Sequence, residues 1–90
     1  MVIRRHMIIS GDVQGVGFRY RARYAAQALG ITGFVRNKYD GTVELEVQGE
    51  RELIDRMLDE IGAGTFIHID SIEQKSMPVD ENERSFSVRH

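Results

Sequence analysis

Two stretches of this chain are apolar on one side only, and both follow the helical period. From Phe18, the residues Ala22, Ala25, Ala26 and Leu29 recur at spacings of three and four, with Gly30 placed to end the helix. Leu53, Ile54, Met57, Leu58 and Ile61 form a second stripe, opened by Gly49, Glu50 and Glu52 and closed by Gly62 and Gly64. Neither helix can bury its polar side, so the two need a shared apolar surface. The β-prone runs Val2–Ser10, Ile31–Lys38 and Thr42–Gln48 supply one, the last alternating Val43, Leu45 and Val47 with Glu44, Glu46 and Gln48. Phe66–Lys75 reads as a fourth strand, Met77–Glu83 as a polar loop, and Ser85–Arg89 as a short last strand with Phe86 and Val88 inward. The order βαββαβ plus a terminal strand predicts an α+β fold, an antiparallel sheet with both helices on one face. At 90 residues with no cysteine, the chain has material for one core held by packing alone, so residues 1–90 are expected to be a single domain.

Charge narrows the partners. Twelve basic and fourteen acidic residues leave a formal charge of −2, which is no footprint for nonspecific binding to nucleic acid or anionic membrane. The first ten residues carry Arg4, Arg5 and His6 among their apolar positions, so no signal or spanning segment is expected and the chain reads as cytoplasmic. Any anionic ligand must then be held by a local site.

One segment has that chemistry. GDVQGVG places Gly11, Gly15 and Gly17 directly after the first strand and directly before the first helix. Successive backbone N–H groups in such a loop can point into one concavity, backed by the positive end of the helix, and a tetrahedral anion fits there. Arg19, in the first helical turn, can offer the same concavity a planar and permanently charged fork. The glycines would equally serve a tight strand-to-helix turn. A second segment, GFVRNKYDG, sets Asn37 just ahead of Asp40 and Gly41. Bracing the hairpin turn is the ordinary task of an Asn there, and holding a water with its paired donor and acceptor is the other. Arg36, on the opposite face, is expected in solvent or in an ion pair.

Taken together, GDVQGVGFR and, eighteen residues after Arg19, the asparagine of GFVRNKYDG resemble the two signatures of the acylphosphatase family, and the resemblance extends over the order of elements and the VELEVQGE segment. It implies a ferredoxin-like sandwich that hydrolyses acyl phosphates. In such proteins the loop backbone, here Val13, Gln14, Gly15, Val16, Gly17 and Phe18, binds phosphate together with Arg19, while Asn37 orients the water. Asp12 departs from the pattern, since a carboxylate beside bound phosphate would repel it. An acyl phosphate expels a carboxylate whose conjugate acid has a pKa near ~4, so the leaving group needs no general acid, and no metal or cofactor is expected. The expected partner is a small-molecule acyl phosphate, and with no apparent dimer face the chain is expected to be a monomer. The alternative is a ferredoxin-like module that binds phosphate without turnover.

The other polar residues read as structural. His6, His68 and His90 lack metal-site spacing, Arg21 and Arg23 read as solvated, and Tyr20 and Tyr24 as packed over the sheet edge. Glu44 and Glu46 are expected on a wet sheet face, with Asp80, Glu81 and Glu83 in a solvated turn.

Overall fold

A computed structural model describes residues 1–90. The elements are β1 (Val2–Asp12), α1 (Phe18–Leu29), β2 (Thr32–Asn37), β3 (Val43–Glu50), α2 (Arg51–Gly62), β4 (His68–Met77) and β5 (Phe86–Arg89). They form one five-stranded sheet in the order β4-β1-β3-β2-β5. Register explains which residues meet the helices. Met7 faces Leu45 and Ile9 faces Val43 across β1 and β3, while Val35 faces Leu45 and Asn37 faces Val43 across β2 and β3. These side chains lie on one face, and the apolar ones among them form a core cluster of 17 buried residues with the apolar stripes of α1 and α2. Phe18, Ala22, Ala25 and Ala26 represent α1 in that core, and Ile54, Met57 and Ile61 represent α2.

The sheet is mixed, not antiparallel throughout, because β5 runs parallel to β2, pairing Gly33 with Phe86 and Val35 with Val88. Connectivity dictates this. β4 ends at Met77, opposite Arg4, at the end of the sheet where β2 begins. The following loop crosses the helix-free face there, with Gln48 bonding the Asp80 backbone at 2.8 and 2.9 Å and Arg4 bonding Glu83 at 2.8 Å. Entering β5 from that end, the chain can run only in the direction of β2.

The helix-free face is less wet than its alternation suggests. Arg4, only 7% exposed, donates to Glu46 at 2.8 Å and to Gln48 at 3.1 Å besides Glu83, while Glu44 is shared between His6 at 2.7 Å and Arg36 at 2.6 Å. Glu83 and Glu44 are therefore ion-paired rather than solvated. Burial opposes the charge of each, and the Arg4 hydrogen bond on Glu83 and the His6 bond and Arg36 charge on Glu44 outweigh it, holding both carboxyls below the ordinary range.

Candidate active site

Three strand ends and one helix start gather at the opposite end of the sheet. β1 ends there at Asp12, β2 at Asn37 and β5 at Arg89, and α1 starts there. Between β1 and α1 the loop needs backbone conformations that glycine adopts readily. Gly15 has φ 71° and Gly17, the residue before α1, has φ 83°, both left-handed, and a β-carbon on either would meet nothing within 4 Å. Backbone conformation, not space, is what selects glycine here. The loop amides from Val13 to Gly17 donate no hydrogen bond to any other backbone group, and α1 has no side-chain cap. A row of N–H groups and the positive end of a helix thus share an open concavity.

That concavity is a cleft of about 150 Å³ lined by Val13, Gly15, Gly17, Phe18, Arg19, Tyr20 and Asn37. Arg19 and Asn37, read separately in the sequence, stand on its wall together. The side-chain oxygen of Asn37, Oδ1, is buried without a hydrogen-bond partner. A buried acceptor without a partner is costly, which sets Asn37 apart from the other residues of the wall. Asn37 does not cap the turn. That task falls to Asp40, whose carboxylate accepts from the Thr42 N–H at 3.0 Å and its hydroxyl at 2.6 Å, bonds that hold the Asp40 carboxyl below its ordinary range.

The expected loop residues divide by task. Val13, Gly15 and Gly17 line the cleft, whereas Phe18 also anchors α1 in the core at 2% exposure. Val16 packs against the core from outside. Gln14 turns away from the cleft, and its Nε2 donates to the carbonyls of Lys38 at 2.6 Å and Thr42 at 2.8 Å. It ties the loop to the turn that follows Asn37. Asp12 pairs with His68 on β4 and is absent from the lining, so its carboxylate stands outside the cleft.

Two residues enter that sequence reasoning set aside. Arg19 Nη1 lies 3.1 Å from His90 Nδ1, a pairing 71 residues apart that depends on the parallel direction of β5 and left no signal in the sequence. Tyr20 is 66% exposed and lines the cleft instead of packing over the sheet, and Tyr24 is exposed as well. Arg21 is held rather than free, its Nε donating to the Glu60 carbonyl at 2.7 Å.

A family model described as Acylphosphatase matches residues 5–88. The chain belongs to the acylphosphatase family. An acylphosphatase of Bifidobacterium longum is 39% identical over 90 residues, covering 98% of this chain and 93% of that protein. One of Clostridium acetobutylicum is 42% identical over 89 residues, covering 97% and 98%. The crystal structure of acylphosphatase from Bacillus subtilis superposes with a TM-score of 0.88 at 28% identity, covering 100% of both chains. The ferredoxin-like sandwich expected from the resemblance is thus the acylphosphatase fold, its mixed sheet included. Acylphosphatases are hydrolases of small acyl phosphates, and no helix of this one is long and apolar enough to cross a membrane.

Proposed function

We propose that the protein hydrolyses acyl phosphates in the cleft between its glycine loop and the end of β2, with Arg19 and the loop amides binding phosphate and Asn37 orienting the attacking water. The observation that carries this reading is the meeting, in one small cleft, of unpaired loop amides, a guanidinium and a buried amide oxygen lacking a partner. Phosphoryl oxygens gain charge-assisted bonds from the Arg19 guanidinium, which has five N–H donors and gives only one of them to His90. The loop amides and the end of α1 bind the remaining oxygens and complement the charge of the transition state. Asn37 Oδ1 accepts one water hydrogen, which turns the water's lone pair toward phosphorus.

Attack forms a bond from the water oxygen to phosphorus and breaks the bond from phosphorus to the acyl oxygen. The electron pair leaves with the carboxylate, and the water proton passes to a phosphoryl oxygen of the substrate itself. Residues 1–90 act as one domain, a cytoplasmic monomer without cofactor or nucleic-acid partner. A module that only bound phosphate would have no use for the free amide oxygen of Asn37 beside its anion loop.

Benzoyl phosphate hydrolysis with chelator present tests the proposal in wild type, Arg19→Ala and Asn37→Ala, each first shown to be folded by circular dichroism. Losing one charged or polar contact to the transition state is expected to cost about 10²- to 10³-fold in kcat. Turnover persisting in either variant within tenfold of wild type would sink the assignment of that residue. Wild type that binds phosphate through Arg19 without turning over the substrate would leave only the binding module.

A further inference from the structure

Beside the phosphate cleft lies a second one of about 360 Å³, bounded by Arg19, Tyr20 and Arg23 of α1 and by Phe86, Val88 and His90 at β5. Arg19 and Tyr20 line both, so the two spaces adjoin. Its walls combine apolar surface from Phe86 and Val88 with the exposed ring of Tyr20, an aromatic the core does not use. No Asp or Glu side chain lines it, and α1 carries none at all. Arg23 makes no ion pair or side-chain hydrogen bond, whereas Arg4 and Arg36 are matched to carboxylates. In a chain of net charge −2, this is a local concentration of positive charge with its principal cation unspent.

We propose that this cleft is the subsite for the acyl group, and that Arg23 selects acyl phosphates whose acyl chain ends in a second anionic group. The proposal rests on the phosphate site being where Arg19 places it. Arg19 and Arg23 are one helical turn apart, a rise of about 6 Å, which a chain of four or five carbons spans from the phosphoryl group. Tyr20 and Val88 cover the methylene stem, and Arg23 meets the terminal carboxylate. A neutral acyl chain of the same length gains the apolar contacts alone.

The test compares kcat/KM for the mono(acyl phosphate) of a four-carbon dicarboxylic acid with that for butyryl phosphate, each corrected for uncatalysed hydrolysis. Wild type, Arg23→Gln and Arg56→Gln are measured, the last removing the same charge from the far helix. Wild type is expected to favour the anionic substrate about fivefold at low ionic strength, through KM, as a partly exposed ion pair allows. The preference is expected to disappear in Arg23→Gln, to survive in Arg56→Gln and to shrink with added salt. A wild-type ratio of one, or an equal fall in both variants, would overturn the subsite while turnover of butyryl phosphate left the enzyme standing. If neither compound is turned over, the hydrolytic reading and the subsite fall together.

Discussion

Gln14 offers a sharp test of whether the site depends on the joint between its two halves. Gln14→Met keeps the length of the side chain and removes the donor that reaches the carbonyls of Lys38 and Thr42. Neither carbonyl is orphaned by the change. Lys38 O still accepts from the Gly41 N–H at 3.2 Å, and Thr42 O from the Lys38 N–H at 2.9 Å. The loss is therefore two ordinary hydrogen bonds without a buried unsatisfied group, about 2 kcal/mol, or a fall in Tm of about 10 °C for a domain of this size. The catalytic effect should be larger than that stability loss explains. The loop holds the phosphate and the β2 end holds the water, and a displacement of one relative to the other by about 1 Å costs up to ~10²-fold in rate. Benzoyl phosphate kinetics well below the variant's Tm should show kcat/KM reduced by about 10- to 100-fold, chiefly in kcat. Leu58→Ala, in a partly buried position on α2, supplies a control destabilised away from the cleft. If Gln14→Met loses its ~10 °C yet keeps kcat/KM within twofold of wild type, the tether is only structural and the reasoning is wrong.

Other outcomes follow from the same geometry. Gly17→Ala should cost about 1 kcal/mol by calorimetry, since φ 83° disfavours a β-carbon that nevertheless has room, and should raise KM if the amide row shifts. Phe18→Ala removes the anchor of α1, 2% exposed, and is expected to lower stability by about 3–5 kcal/mol in urea titration. Because the Glu83 and Glu44 carboxyls are held below their unfolded values, their contribution is complete above about pH 4.5 and is lost as pH falls through the lower folded values. Glu83→Gln should therefore flatten the acid limb of a stability profile, while leaving a buried Arg4 short of one partner and costing about 2 kcal/mol near neutrality.

The parts of the fold that were legible in the sequence are those with a period. Ala22, Ala25, Ala26 and Leu29 place α1, and Val43, Leu45 and Val47 give β3 its buried face. What a period cannot express is what lies on the other side of it. Glu44 and Glu46 read the same whether they face water or Arg4, His6 and Arg36, and only the registers of β1 and β2 against β3 decide. The direction of β5 was equally hidden, because four residues, Phe86–Arg89, carry no mark of parallel or antiparallel pairing. His90 was lost with it. At the site, Arg19 and Asn37 were legible as a pair only through the family resemblance, since nothing local says that the end of β2 lies beside the start of α1. The bonds of the Gln14 side chain to the hairpin left no signal either, since they need the end of β2 beside the loop.

The charges on β1 have a meaning for how the chain finds this arrangement. β1 is flanked by β3 and β4, so its partners lie as far along the chain as Glu50 and Met77, and it waits through most of synthesis with both edges bare. A bare strand rich in Val, Ile and Met invites pairing with its own copies. Arg4, Arg5 and His6 in its first half place charge against such self-pairing, and in the finished sheet Arg4 and His6 reach diagonally to Glu46 and Glu44. The cations that oppose self-pairing of the bare strand thus end as partners of the β3 carboxylates.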